Sequence, residues 1–303
     1  MVRYCFVILH YNAIKETEKC IESIQGIENQ DEIAIVIVDN ASPNGTGRQL
    51  VAKYSDKKRI YIMLRAKNDG FSKGNNAGCR YAVDKWHPQF LIVANNDVVF
   101  IQPDFVKRIE EEYQRSQFDI LGPDIFNPGM RIHQSPMSIE LPDMKKINRT
   151  IILNRCMLTL YPLMYPFLKK YFQSAENKMP GTDYEEYQED VCLMGACLIY
   201  AERYIKTRKK IFEPETKFFY EENIQTLWCR QHGKKMVYQP EIKVWHMEGI
   251  ATGTIADEKE RIRFYMQNIL EAAKVYKGVL KTSHLSIIGC EENCEGRQKE
   301  RNF

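Results

Sequence analysis

Short apolar runs alternate with helix-patterned segments through the first 120 residues, and few folds accommodate such a chain. The runs are CFVIL, IAIVIVD, RIYIML, FLIVAN and DILG, and helical patterns separate them from about Ile14 to Ile24, Gln49 to Tyr54, Asn75 to Val83 and Asp104 to Tyr113. Continuous apolar strands separated by helices imply a parallel sheet covered on both faces, joined by right-handed crossovers. A chain of 303 residues, 44% hydrophobic, is long enough to bury such a sheet in a large core. Its 43 basic and 40 acidic residues nearly balance, which argues against an extended nucleic-acid surface.

The most telling run is LIVANNDVVF, Leu91 to Phe100, where an apolar strand stops abruptly at Asn95, Asn96 and Asp97. Open α/β sheets bind ligands at the carboxyl ends of their strands, so carboxamide and carboxylate oxygens there suit a metal ion. The plainer alternative is a strand followed by a turn, since Asn and Asp are common turn residues.

Nine cysteines are scattered without a CxxC pair, which indicates neither a disulfide framework nor a zinc ribbon; Cys290 and Cys294 read as free thiols. Met1 leads directly into an apolar strand without the features of a signal peptide. No stretch reaches the roughly 18 uninterrupted apolar residues that span a bilayer. The expectation is a soluble, reduced, cytoplasmic protein.

From Met137 to about Asp190 the alternation stops. The segment KKINRTIILNRCMLTLYPLMYPFLKKYF mixes basic residues with dense Leu, Ile, Met, Phe and Tyr, and Pro162 and Pro166 should kink or interrupt a helix there. It reads either as an amphipathic surface for an anionic membrane, with contact through 145–172, or as a helical insertion packed on the core. Beyond it come the strand-like VCLMGACLIY, with Gly195 and Ala196 allowing close backbone approach, then KFFYEENIQTLWCRQHG, the strand KMVYQPEIKVWH and a helix from about Asp257 to Tyr276.

Three constellations carry chemistry. Asp39 and Asn40 end the second strand, next to the first strand's tip at His10, Tyr11 and Asn12; Asp39 accepting an imide N–H beside the Tyr11 ring suits a nucleobase. Capping of the following helix is the other role open to Asp39. The loop RAKNDGFSKGNNAG, Arg65 to Gly78, offers backbone N–H groups at a Gly-rich turn and helix start, a natural anion cradle, but lacks the spacing of a Walker loop or dinucleotide fingerprint. Glu221 and Glu222, flanked by aromatic residues, are a candidate base or else two solvated acids at a helix N-terminus.

The blocks YCFVILHYN, VDNASPNG, KNDGFSKGNNAG, LIVANNDV, LMGACLIY, FFYEENI and VWHMEG, in this order, resemble family 2 glycosyltransferases of bacterial cell-surface polysaccharides, including rhamnosyltransferase-like enzymes, from about Val2 to Tyr276. The resemblance implies an α/β fold of GT-A type with a mostly parallel central sheet, a helical insertion and a C-terminal helix. It also implies one domain over 1–280, with a nucleotide-binding half (1–125), the insertion (137–190) and an acceptor and catalytic half (191–280), followed by a flexible tail (281–303).

Residue by residue, the resemblance assigns Asp39 to the base of a nucleotide-sugar donor. Further donor contacts are expected from Tyr11, Asn12, Asn40, Asn68, Gly70, Phe71, Gly74, Asn75, Asn95 and Asn96. Asp97 ends the motif usually written Asp-x-Asp, with Asn95 at its first position, so the site carries one negative charge fewer. His246 matches a histidine that approaches the metal or diphosphate, and Mn²⁺ or Mg²⁺ is the implied cofactor. Glu222 falls where the family places its catalytic base, with Glu221 competing.

The implied reaction is inverting transfer from a UDP- or dTDP-sugar to a glycan or lipid-linked saccharide, at the inner face of the plasma membrane. A sugar nucleotidyltransferase would need a Gly-rich basic loop after the first strand, where LHYNAIKETEK has none. A non-catalytic nucleotide-sugar-binding relative finds support only in Asn95.

Overall fold

The computed structural model describes residues 1–175, 183–247 and 257–299, with side chains described to Lys170 in the first stretch and to Thr282 in the last. The first half alternates β1 (Tyr4–His10), α1 (Ile14–Gln25), β2 (Ile33–Asp39), α2 (Thr46–Tyr54), β3 (Ile60–Leu64), α3 (Phe71–Trp86) and β4 (Phe90–Asn95). Then follow β5 (Val98–Phe100), α4 (Phe105–Ser116), β6 (Ile120–Asn127) and β7 (Ile132–His133). The insertion is two helices, α5 (Met144–Thr159) and α6 (Tyr161–Ala175). The rest comprises β8 (Gln188–Glu189), β9 (Cys197–Ala201), α7 (Glu202–Ile205), α8 (Glu221–Gln231), β10 (Met236–His246) and α9 (Glu258–Lys299).

Among the described residues the strands form one sheet in the order β3-β2-β1-β4-β9-β6-β10-β5, with β7 on β6 and β8 on β10. The pairings give β1, β2, β3, β4, β6 and β10 a common direction, opposed by β5, β7, β8 and β9. The sheet is therefore mostly parallel, as the alternation of runs and helices requires. Every residue of β2 is buried, as expected of a strand covered on both faces. Phe6, Ile8, Ile35 and Ile37 pack on one side with Cys20, Ile21, Phe105 and Ile109 of α1 and α4; Val7, Val36 and Val38 pack on the other with Cys79 and Ala82 of α3. Helix α3 lies against the sheet because Gly78 has no side chain: a Cβ there would stand 2.6 Å from methyls of both Val7 and Val38.

Three local expectations change. Helix α3 starts at Phe71 rather than near Asn75, because Gly70, at φ +85°, turns the chain and the Phe71 amide donates to the Lys217 carbonyl at 2.8 Å. Gly74 and Asn75 thus belong to the helix and not to a loop. The helix is interrupted at Pro162 but not at Pro166: α5 ends at Thr159, Pro162 sits in the first turn of α6, where its missing N–H has no partner to lose, and Pro166 is carried inside. The break falls at Leu160, with the two helices bent by 118°. Third, of the long apolar VCLMGACLIY only the stretch from Cys197 onward is strand, as β9, and it runs against its neighbours β4 and β6.

This reversed strand positions the site. Cys197 pairs with Ala94, and the Asn95 amide donates to the Ala196 carbonyl at 2.9 Å, so the start of β9 meets the carboxyl end of β4. Helix α9 continues helical into the expected flexible tail as far as Lys299, and residues 300–303 lie outside the described residues.

Candidate active site

The tips of β1 and β2 lie side by side, with His10 in register with Asp39. His10 is fully buried between the hydroxyls of Thr17 (2.7 Å from Nδ1) and Thr46 (2.9 Å from Nε2), and burial pushes its pKa below the ordinary value. It pins the rim from below. The Asp39 carboxylate accepts from the Ser42 amide at 3.2 Å and from the Ser42 hydroxyl, a local turn rather than a cap on α2. Gly47 makes room for it, since a Cβ there would lie 2.2 Å from Asp39 Oδ2. Ser42 Oγ also accepts from the Asn12 amide at 2.9 Å, which ties Asn12 to the same rim. Tyr11, between His10 and Asn12, is half-buried there.

Asn40 works as a strut. Its Nδ2 donates to Asn68 Oδ1 (3.0 Å) and to the Gly70 carbonyl (3.2 Å), while its Oδ1 accepts from the Asp69 amide at 3.2 Å. The loop before α3 is thereby fixed to the tip of β2. From α3, Asn76 exchanges two hydrogen bonds with the Phe212 backbone (2.8 and 3.0 Å), and Ser72 Oγ accepts from the Thr216 amide at 3.2 Å. These side chains bind the segment leading into α8 to the first, alternating half of the chain. Nothing in the KGNN run marks which asparagine does this, and Asn76 was not among the expected residues.

Gly74 packs on β1, where a Cβ would stand 2.4 Å from Leu9 Cδ1. The Asn75 carboxamide is buried with no partner for either polar atom among the described residues. Asn96, expected to face the donor, turns the other way: it donates to Thr17 Oγ1 at 3.0 Å and toward the Ala13 carbonyl at 3.4 Å, fixing α1 instead. Its neighbours Asn95 and Asp97 take the opposite side of the turn.

Asp97 and His246, far apart in sequence, meet because β5 pairs antiparallel with β10, with Val98 in register with His246. Asp97 Oδ1 lies 3.2 Å from His246 Nε2, and Asn95 Nδ2 lies 3.4 Å from the same nitrogen. The Nδ1 of His246 stands 2.8 Å from Gln134 Oε1, which only accepts, so Nδ1 carries the shared proton. Nε2 then presents either a second proton to Asp97 or a lone pair to a cation. A buried carboxylate, an imidazole nitrogen oriented by an outer amide and an adjacent carboxamide fit a divalent ion with mixed O and N preference. No group of three or more His, Cys, Asp or Glu arranged to hold a metal occurs among the described residues; Asn95 would be the third ligand here. Gln134, following β7 in a stretch without periodicity, gives no sign of itself in the sequence.

Glu221 and Glu222 open α8, immediately after Phe219 and Tyr220, whose φ values of +70° and +64° place two bulky residues in the left-handed region. Such backbone is costly for non-glycine residues and is held here by aromatic packing: Tyr220 stacks on Tyr276 (5.4 Å) and Phe219 packs at a tilt against Tyr265 (5.8 Å). The Gly195 amide donates to Glu222 Oε1 at 3.3 Å, and Thr216 Oγ1 donates to Glu221 Oε2 at 3.2 Å. Desolvation, and next the Glu222 charge, push the Glu221 carboxyl up to about 8. Desolvation also raises Glu222, and its own amide and that of Gly195 pull it back.

Three groups of residues thus adjoin one rim of the sheet. Asp39, Asn40, Asn68 and Gly70 form the first, Asn95, Asp97 and His246 the second, and Glu221 and Glu222 over Gly195 the third. The bond from the Asn95 amide to Ala196 joins the second to the third, and the bonds from Phe71 to Lys217 and Thr216 to Glu221 join the first to the third.

The fold is of GT-A type: an alternating α/β half continued by a mixed sheet, with strand tips gathered around one rim. The glycosyl transferase family 2 profile matches residues 5–176, and the chain belongs to that family. A low-salt glycan biosynthesis hexosyltransferase of Haloferax volcanii, Agl10, is 24% identical over 131 residues, covering 43% of this chain. The chain spans only 39% of the length of that relative. Among solved structures, TarS of S. aureus in complex with UDP-GlcNAc superposes with a TM-score of 0.52 at 17% identity, covering 88% of this chain and 66% of that one. The mannosyltransferase PcManGT of Pyrobaculum calidifontis, with GDP-Man and Mn2+, does so with a TM-score of 0.51 at 10% identity, covering 96% and 75%. At these identities the likeness is one of fold.

Proposed function

We propose that this protein transfers a sugar from a UDP- or dTDP-sugar to a hydroxyl of a cell-surface glycan or lipid-linked saccharide, with inversion at the anomeric carbon. The observation carrying this reading is the adjacency of Asn95, Asp97 and His246 to Glu222 through the Asn95–Ala196 hydrogen bond. Family membership and neighbours solved with UDP-GlcNAc and GDP-Man support the donor class.

Asp39 accepts the imide N–H of the base, beside the Tyr11 ring, with Asn12 and the Asn40–Asn68 strut shaping the rim. Glu222 takes the proton of the acceptor hydroxyl as its oxygen forms the new bond to the anomeric carbon. The bond from that carbon to the diphosphate oxygen breaks in the same step, its electron pair leaving with the diphosphate. Mn²⁺ or Mg²⁺, held by Asp97 and His246 with Asn95, would supply charge neutralisation for the leaving group. Glu221, held protonated by burial, keeps a second negative charge away from the base.

Screening nucleotide sugars by thermal shift, with and without Mn²⁺, identifies the donor, because a ligand of the native state alone raises its stability. Replacing Glu222 with Gln should abolish transfer and leave donor binding nearly intact. Transfer that survives the replacement would remove Glu222 from the base role. Reaction at the cytoplasmic face of a membrane is part of the same reading; among the described residues no single helix is long and apolar enough to cross one.

A further inference from the structure

We propose that the α5–α6 hairpin is a docking element for an anionic lipid bilayer, rigidly keyed to the helix that carries Glu221 and Glu222. The idea that the acceptor is membrane-borne rests on the function proposed above; the docking itself does not.

Soluble proteins cover the outer stripe of a surface helix with polar groups, and this hairpin does the reverse. Leu163 and Phe167 are 75% and 72% exposed and lie one helical turn apart on α6, with the exposed Pro166 between them and Lys170 next along the same stripe. Across the bend, Ile152 (60%), Leu153 (46%) and Leu160 (51%) are also open to solvent. An apolar face this concentrated, at a corner between two helices, is shaped to enter a surface rather than to span it.

Charge selects the occupant. Between Met144 and Ala175 there are six basic residues, Lys145, Lys146, Arg149, Arg155, Lys169 and Lys170, and no acidic one. Lys169 pairs with Glu258 at 2.6 Å, whereas among the described residues no ion pair engages the other five. Lys145, Lys146, Arg149 and Arg155 are exposed along α5, and Lys170 is exposed on α6. An amphipathic element with an apolar face and uncompensated cations matches anionic headgroups over acyl chains. A partner of neutral or basic surface would leave those cations unmatched.

The hairpin's inner face is committed elsewhere. Ile147 of α5 is buried with Ile224 of α8 and with Tyr276 and Leu280 of α9, and Tyr220 packs against the same cluster. On α6, Tyr161 and Leu168 pack with Ile262 and Met266 of α9, and the Tyr161 hydroxyl donates to the Lys259 carbonyl. Seating the outer face on lipid therefore fixes the first turn of α8, and its two carboxylates, relative to the bilayer.

The test is sedimentation of the full-length protein with vesicles, which needs neither donor nor turnover. Binding to phosphatidylglycerol-containing vesicles at low salt, weak binding to pure phosphatidylcholine and release by high salt are expected. The double variant L163E/F167E changes only exposed positions, so it should fold as the parent does by circular dichroism and lose vesicle binding at least tenfold. Its metal-dependent donor hydrolysis should equal the parent's, while transfer to an acceptor embedded in vesicles should fall. Failure of the parent to sediment with anionic vesicles overturns the docking proposal. So does self-association of the parent that the variant abolishes without any vesicle binding, which would assign the face to a second copy of the chain. Vesicle binding without detectable glycosyl transfer would leave docking standing and overturn the proposed function instead.

Discussion

Glu222 Oε1 and the backbone of Gly195 are in direct contact: the Gly195 amide donates to it at 3.3 Å, and a Cβ at position 195 would stand 2.7 Å from the same oxygen. The carboxylate proposed as base thus rests on a glycine just before β9, where a side chain would push it aside. Replacing Gly195 with Ala should displace the carboxylate and lower kcat about a hundredfold, the scale of an ångström's misplacement at a reacting group. Steady-state kinetics should show KM for the donor little altered, since the donor residues lie elsewhere.

The raised pair has a pH signature. The base is competent only when ionised, so kcat should rise with pH along an alkaline-going limb, and Glu221→Gln should leave that limb in place, because a protonated Glu221 adds no charge beside the base. Stability runs the other way. A carboxyl raised from 4.5 to about 8 binds its proton more tightly in the folded state, so its contribution is complete below about pH 4.5 and is lost as pH rises through 8. Thermal melts across that window should fall for the parent and flatten for Glu221→Gln.

Metal affinity should follow the ligand chemistry. Asn95→Asp restores a second carboxylate and should tighten Mn²⁺ binding, whereas Asp97→Asn should remove Mn²⁺-dependent stabilisation in a thermal-shift assay. Gln134→Leu leaves every proposed ligand in place but removes the bond to His246 Nδ1, and calorimetry should show Mn²⁺ bound about 10–100-fold more weakly, the usual scale for an outer-shell partner.

Asn76 should matter for stability more than its polar helix position suggests. It satisfies both the amide and the carbonyl of Phe212, and Asn76→Ala would strand two buried backbone groups. A loss of about 2–4 kcal/mol in denaturant melts is expected, with a lower kcat because the same segment leads to Glu221.

At the nucleotide end, Gly47→Ala should clash with Asp39 Oδ2, 2.2 Å from the new Cβ, and weaken uridine diphosphate binding alongside Asp39→Ala. Equal loss in both variants, measured by calorimetry, would tie the base contact to the position of that carboxylate. Unchanged affinity in Asp39→Ala would refute it.

What could be read along the chain was what is written locally. Alternating apolar runs and helical periods gave β1 to β4 and their helices, because burial on both faces demands continuous apolar strands. The strand-end residues Asn40, Asn95 and Asp97 stood out for the same reason, as polar groups that end apolar runs. Long-range pairing decided the rest. The antiparallel placement of β9 between β4 and β6 brings Gly195 beneath Glu222, and β5 on β10 brings Asp97 to His246. Adjacent asparagines look alike in sequence, yet Asn95 faces the rim while Asn96 serves α1, and Asn40 and Asn76 became struts. Which way a polar side chain turns at a strand end or on a helix depends on the partners that folding puts beside it, and those partners lie tens to hundreds of residues away.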